Sequence, residues 1–247
     1  MKPHLSMRSG NPALNAKVFT SAVQDGSGPM TIQGTVNKTA ISLLLLMLTA
    51  SYTWSNPNPA FMMFGMIGGF ILAITTIFKK TWAPYTVTGY ALLKGLALGG
   101  ISRVFEAQYP GIVGQAVFLT FGILAALLLA YKSKLIKPTE NFKLGIFAAT
   151  GGIAILYLIS FVMSFFGGGL SILNPNNTSM FSIGISLFIV VIASLNLVLD
   201  FDFIEEGAEQ GAPKYMEWYG AFGLLVTLIW LYLEILRLLA KLQSRRS

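Results

Sequence analysis

Seven long apolar segments alternate with short polar connections along this chain of 247 residues. Residues 1–35 contain no such segment and are rich in Ser, Gly, Asn, Pro and Lys, which predicts a mobile polar tail. Each later run has about the 17–25 residues that a membrane-spanning helix needs. The runs cover about 37–55, 60–78, 84–107, 111–131, 143–166, 180–203 and 219–241. The pattern therefore predicts an all-α integral membrane protein, with a bundle of seven transmembrane helices in residues 36–247.

Small residues in two of these segments predict close helix packing. Gly65 and Gly69 form a GxxxG pattern in the second segment, and Gly95 and Gly99 form another in the third. Glycines at this spacing let two helix backbones approach closely in a membrane. We interpret all four as packing positions rather than as functional ones.

The composition agrees with a membrane protein and excludes several other classes. The chain is 54% hydrophobic and 11% charged, whereas soluble domains carry roughly 25% charged residues. The net charge is +7, but the basic residues flank apolar segments, as membrane anchors do, so we expect no nucleic-acid partner. The absence of cysteine excludes disulfides and thiolate chemistry. Because no apolar run of a cleavable signal occurs in the tail, we expect the first helix to direct insertion.

The distribution of Lys and Arg predicts the orientation. With the N-terminus inside, the inner segments hold eleven basic residues and the outer loops 55–59, 108–112 and 167–179 hold none. This predicts a multi-pass protein of a bacterial inner membrane with a cytoplasmic N-terminus. Seven spans would leave the basic C-terminal residues outside, namely Lys241, Arg245 and Arg246. Hydrophobic length favours a full seventh span, whereas charge favours a re-entrant segment that returns inside.

Two carboxylates inside apolar runs are the candidate functional residues. Asp200 ends the run of the sixth segment, and Glu234 interrupts the seventh. A charged side chain at the bilayer centre costs about 2.5–3.5 kcal/mol even on insertion scales, so such residues usually face a protein interior or a water path. Asp200 is either a carboxylate at the membrane boundary or an ion ligand that titrates. Glu234 either pairs with Arg237 on the same helical face or acts as a buried titrating acid.

The two acids together would suit a sensor of pH or a transient cation site. Interacting carboxylates share protons and titrate as a pair. When deprotonated they can bind Ca²⁺ through oxygen, although a stable Ca²⁺ site uses roughly 6–8 oxygens. We therefore expect Ca²⁺ as a transported ion, with no stably bound metal and no cofactor.

Several other charged residues are candidate partners of these acids. The third segment carries Lys94, a possible partner of Glu234, together with Arg103 and Glu106, which are three residues apart. Lys79 and Lys80 at the end of the second segment are headgroup anchors, or one of them latches Asp200. We interpret the acidic stretch 202–217, which begins with the secondary candidate Asp202, as a water-exposed linker.

Enzyme signatures are missing from the sequence. The only histidine, His4, lies in the polar tail, which argues against His-based catalysis and zinc sites. The sequence around Asp200, Leu199-Asp200-Phe201-Asp202, lacks the Gly-x-Gly-Asp pattern of intramembrane aspartyl proteases. We therefore expect no catalytic residues and no enzymatic activity.

The last two segments carry a resemblance to a known family. Leu199-Asp200-Phe201-Asp202-Phe203-Ile204 and Leu231-Tyr232-Leu233-Glu234-Ile235-Leu236 resemble the two acidic motifs of the Bax inhibitor family, and Tyr109-Pro110-Gly111 is also similar. The resemblance covers about residues 37–241. It implies a seven-helix bundle with the last helix central and a pH-sensitive Ca²⁺ leak. It also implies two paired acids, here Asp200 and Glu234, and a basic latch, here Lys79 or Lys80.

The chain departs from that family in three ways, and one of them bears on whether the two acids lie at the same depth in the membrane. The second acid is Glu, the latch is Lys, and the stretch between the acids is longer. If the seventh helix starts near Tyr219, Glu234 lies about 22 Å along it, at about 1.5 Å per residue. Contact with Asp200 then requires that the sixth helix extend beyond Phe203 or that the seventh begin outside the bilayer.

Two functions remain open from the sequence. The first is a pH-sensitive cation leak protein gated by the buried carboxylates. The alternative is a non-transporting regulator that binds another membrane protein, such as a quality-control protease, through its basic tail or its acidic stretch.

Overall fold

The computed structural model describes residues 28–245, and in that range the chain is all-α. Two 3-10 turns, Lys80–Trp82 and Ser171–Leu173, lie between the helices. The helices are α1 (Ile32–Ser55), α2 (Pro59–Phe78), α3 (Ala83–Gln108), α4 (Ile112–Lys132), α5 (Glu140–Ser164), α6 (Met180–Glu209) and α7 (Met216–Ser244). The all-α class predicted from the sequence is confirmed.

Six of the seven helices are long enough and apolar enough to cross a membrane. They are all but α3, whose 26 residues include Lys94, Arg103, Glu106 and several threonines and tyrosines. A helix backbone satisfies its own hydrogen bonds, which is why helices can span a lipid core. The helices therefore form a multi-pass membrane protein, and the assignment of α3 as a seventh span stays a prediction.

The boundary of the N-terminal tail differs from the predicted one. Helix α1 begins at Ile32, so residues 32–35 are helical rather than part of a tail that ends at residue 35. The cause is local, because Thr31 caps the helix by accepting a hydrogen bond from the Gly34 amide. The predicted tail residues 1–27, including His4, lie outside the described residues, and so do residues 246–247.

The acidic stretch is also not the linker that the sequence predicted. Helix α6 continues to Glu209, two turns beyond the predicted end, and α7 begins at Met216. Phe203 and Ile204 are buried in this extension, which explains why the helix does not stop where acidic residues begin. The extension beyond Phe203 is one of the two conditions that contact between the candidate acids requires.

The described residues form two compact units. The first unit comprises residues 28–108 and 200–226, and the second comprises 109–199 and 227–245. In the first unit, α3 packs against both α1 and α2. A Cβ atom added to Gly95 would lie 2.2 Å from the Leu46 carbonyl oxygen of α1, and one added to Gly65 would lie 2.4 Å from the Leu93 carbonyl oxygen of α3. The predicted packing role of these glycines is confirmed.

The second unit has an aliphatic core between α5 and α6. Its centre is formed by five buried residues, and the partly buried Trp230 of α7 packs against it. These five are Ile146, Ile153, Ile189, Ile192 and Leu199. Helices α6 and α7 are the most buried of the six apolar helices, with 61% and 56% of their most apolar stretches inside the protein, against 11–22% for the others. More than half of each of these two apolar stretches is thus buried inside the protein.

Candidate functional site

Glu234 lies in a three-residue cluster of the second unit. It is only 2% exposed, and its Oε1 accepts a hydrogen bond from the hydroxyl of Tyr157, on α5, at 2.5 Å. Arg237 Nη1 donates to both carboxylate oxygens of Glu234, at 2.9 and 3.0 Å, and to the Tyr157 hydroxyl at 3.0 Å. The guanidinium also lies 5.5 Å from the centre of the Tyr157 ring. The cluster therefore keeps a buried carboxylate compensated by a cation and a hydroxyl.

The ion pair with Arg237 is one of the two alternatives that the sequence left open for Glu234. Helical spacing indicated it, because residues three apart share a face. No sequence pattern indicated Tyr157, which lies in an apolar run 77 residues before Glu234, because only the packing of α5 against α7 brings the two together.

Lys241 is a second buried charge on α7, although its place in the sequence indicated only a basic C-terminus. It is 0% exposed, and its Nζ donates hydrogen bonds to oxygens of Ile172, Ser182 and Ser186. Lys241 lies four residues after Arg237 and seven after Glu234, and this helical spacing puts the three side chains on one face of α7. The same spacing is visible in the sequence. One face of α7 thus carries an acid and two bases within the second unit.

Asp200 is completely buried, at 0% exposure, on the part of α6 that belongs to the first unit. The secondary candidate Asp202 is partly buried on the same helix. Asp200 and Glu234 belong to different units, and their pairing stays a prediction.

The predicted basic partners in the first unit lie against aromatic rings. Lys79 Nζ is 5.4 Å from the ring centre of Trp82, and Lys80 Nζ is 6.0 Å from that of Tyr219. Partial burial lowers the pKa of Lys80. Cations placed over aromatic faces are stabilised by the ring quadrupole. A latch between Lys79 or Lys80 and Asp200 stays a prediction.

The charged residues of α3 are placed similarly. Lys94 Nζ lies 5.8 Å from the centre of the buried Tyr90 ring, and its methylene carbons pack at Gly69. The Arg103 guanidinium lies 5.5 Å from the Trp54 ring, and Glu106 is partly buried near the end of the helix. The predicted pairing of Lys94 with Glu234 is not tested by these contacts.

The interpretation of the acidic stretch as water-exposed is wrong for Glu217, although Glu205 and Glu209 of that stretch are exposed. Glu217 is 0% exposed, and its Oε1 accepts hydrogen bonds from Thr31 N at 2.9 Å, Thr31 Oγ1 at 2.8 Å and Lys214 Nζ at 2.7 Å. Its Oε2 forms an ion pair with Lys38 of α1. A Cβ at Gly34 would overlap this carboxylate, so a larger residue there would displace the Glu217 side chain. Glu217 therefore ties the start of α7 to the start of α1, which no local sequence pattern indicated.

The described part of the chain holds no group of three or more His, Asp or Glu side chains placed to bind one metal ion. The buried carboxylates of Glu234 and Glu217 are instead bound by cations and hydroxyl groups of the protein.

The chain was compared with known protein families and with curated proteins. The family described as Bax inhibitor 1 like matches residues 11–244, which is nearly the whole chain. A search of curated proteins finds none that matches. The family match confirms the resemblance to the Bax inhibitor family that the sequence indicated. The chain therefore belongs to the Bax inhibitor 1 like family.

Proposed function

We propose that this protein is a pH-sensitive cation leak protein of a bacterial inner membrane, with Ca²⁺ as a transported ion. The observation that carries the proposal is the burial of two acids, Asp200 at 0% and Glu234 at 2% exposure, on the two most buried apolar helices. Intramembrane carboxylates are costly and typically mark paths for ions or protons. Membership of the Bax inhibitor 1 like family supports the same site.

The two acids take different roles in this proposal. Arg237 and Tyr157 already engage both oxygens of Glu234, so a cation reaches Glu234 only after the guanidinium moves away. We assign Glu234 the role of a gate that Arg237 holds, and Asp200 the role of the ion ligand whose protonation stops flux. Lys80 is assigned as the counter-charge that latches Asp200 in the closed state.

The proposal includes seven spans, with the last helix central and the N-terminus in the cytoplasm. Contacts at the end of α7 support a full seventh span. The Tyr109 hydroxyl lies 2.7 Å from Ser244 Oγ and donates to Asn176 at 3.1 Å, and Lys241 binds the Ile172 carbonyl. Residues 109, 172 and 176 belong to the loops that the charge distribution places outside. A re-entrant segment would end at the opposite side.

Reconstitution tests transport directly. Purified protein in proteoliposomes is expected to release trapped Ca²⁺ faster than empty vesicles, with a rate that changes between about pH 5 and 8, where buried carboxylates can titrate. Flux no greater than that of empty vesicles across this range would reject the transport proposal.

The alternative of a non-transporting regulator predicts a different outcome. Removal of residues 1–27 should then abolish capture of a membrane-protein partner, whereas a leak protein should keep its flux. The same truncated protein, assayed in vesicles and in a pull-down, separates the two functions.

A further inference from the structure

The ammonium of Lys241 lies in a cage of oxygen atoms inside the second unit. Its Nζ is 2.7 Å from the Ile172 carbonyl oxygen, 2.7 and 3.3 Å from the Oγ and carbonyl oxygen of Ser182, and 2.8 Å from Ser186 Oγ. Lys241 and Ser182 are 0% exposed and Ser186 is 1% exposed. The cage is therefore a built and buried site with four oxygen ligands.

All four oxygens are uncharged, which is unusual for a buried ammonium. Buried charges are normally paired with an opposite charge. The nearest acid on the same face of α7 is Glu234, about 10 Å away along the helix at roughly 1.5 Å per residue. Glu234 already binds Arg237 and Tyr157. Carbonyl and hydroxyl dipoles thus replace the hydration shell of the ammonium, as carbonyl oxygens do for K⁺ in channel filters.

We propose that these four oxygens form a binding site for a monovalent cation, which the protein fills with its own Lys241 side chain. Ammonium and potassium ions are similar in radius and accept similar oxygen cages. A divalent ion such as Ca²⁺ fits poorly, because it usually takes roughly 6–8 oxygens with carboxylates among them. The tethered ammonium keeps soluble cations out of this end of α7. The inference does not depend on the proposed leak function.

A purely structural role of Lys241 predicts different behaviour. As a structural link, Lys241 only joins α7 to α6 and to the turn Ser171–Leu173, and its loss would lower stability whatever salt is present. If the oxygens form a cation site, free cations should bind there and restore the stability of the protein once the Lys241 ammonium is removed. Cation specificity is therefore the property that separates the two roles.

The test compares Lys241→Ala with the unchanged protein in detergent. The melting temperature of Lys241→Ala should rise by roughly 3–6 °C when K⁺ or Rb⁺ is at about ten times its Kd, relative to choline chloride of equal ionic strength. Methylammonium should act likewise, because it offers N–H donors, whereas tetramethylammonium should not. Radioactive Rb⁺ should bind to the variant with a saturable stoichiometry of about one, and the unchanged protein should show neither response.

Two matched variants control this experiment. Lys241→Met fills the same space with an apolar chain and should show no cation response. Lys143→Ala removes another buried lysine, on α5 of the same unit, and should show none either. Equal responses of all four proteins, or the absence of Rb⁺ binding, would overturn the proposal. So would a Lys241→Ala protein that cannot be recovered folded even when K⁺ or methylammonium is present throughout purification.

Discussion

At the scale of single residues, two buried carboxylates are bound by partners from distant parts of the chain. Glu234 is held by Arg237 three residues on and by Tyr157 of another helix. Glu217 is held by Lys214 nearby and by Lys38 and Thr31 of α1. In each case a local cation helps to compensate the buried carboxylate, and a remote partner joins that carboxylate to another helix.

Loss of the Glu217 carboxylate should destabilise the protein. Glu217→Ala leaves Lys38 and Thr31 without their acceptor, and removal of one member of a buried ion pair costs about 3–5 kcal/mol. We expect the low end of that range, since the Lys214 side chain is 40% exposed. Thermal unfolding in detergent should show a fall of roughly 6–12 °C in Tm. The exposed Glu209→Gln on α6 is the control and should change stability by no more than about 0.5 kcal/mol. Equal melting of both variants would contradict the ion-pair role.

The Glu234 cluster predicts a pattern across four variants, which are Tyr157→Phe, Arg237→Met, Glu234→Gln and the double variant Arg237→Met/Glu234→Gln. Tyr157→Phe removes one hydroxyl and should cost about 1 kcal/mol, because the ion pair remains. Arg237→Met leaves a buried carboxylate uncompensated and should cost about 3–5 kcal/mol. The double variant Arg237→Met/Glu234→Gln should recover part of that loss, with a coupling energy of about 0.5–3 kcal/mol. Strictly additive losses in thermal melts would mean that Arg237 does not compensate Glu234.

The sequence indicated the local pair of the Glu234 cluster, but neither its remote partner nor the contacts of Glu217. The spacing of Glu234 and Arg237 on one helical face is visible along the chain. The Tyr157 hydroxyl cannot be predicted in the same way, because its position depends on how α5 packs. Glu217 was misassigned because it follows four other acids, and composition alone describes such a stretch as solvated. The burial of Phe203, Ile204 and Glu217 is a property of the packed protein that composition does not show.

At the scale of helices, apolar length predicted all seven elements and polar caps set their ends. Thr31, Asn58 and Thr139 accept hydrogen bonds from the first turns of α1, α2 and α5. The caps explain why α1 starts before its apolar run. Close packing of α3 against its neighbours follows from glycines that the sequence displays, and so this part of the fold was predictable.

Glycine substitutions test that packing. A Cβ at Gly99 would lie 2.1 Å from the Ala50 carbonyl oxygen, so Gly99→Ala should force α1 and α3 apart and cost roughly 1–3 kcal/mol. Gly122→Ala on α4 is the matched control, because nothing lies within 4 Å of the added carbon. The control should gain about 0.5–1 kcal/mol from helix propensity. A Gly99→Ala protein that melts at or above the unchanged one would show that the two helices do not pack as described.

At the scale of the whole molecule, the proposed topology follows from charge in the loops and from contacts at the end of α7. The chain has no cysteine, so single-cysteine variants report each loop without background. Gly168→Cys and Arg245→Cys should react with a membrane-impermeant maleimide added outside intact cells, and Ser133→Cys should react only after permeabilisation. All three positions, 133, 168 and 245, are exposed in the structure. Labelling of position 245 together with position 133 would contradict seven spans and restore the re-entrant alternative.

Asp200 is proposed to bind the transported cation, and the pH dependence of the Ca²⁺ flux tests this role. Ca²⁺ release from proteoliposomes, measured between about pH 5 and 8, should fall with acid for the unchanged protein and for Glu209→Gln, as protons replace the ion on a buried carboxylate. Asp200→Asn, which keeps the shape and removes the titrating charge, should show a flux that no longer varies with pH and that is lower at the alkaline end. An Asp200→Asn protein with the flux and the pH profile of Glu209→Gln would contradict the account.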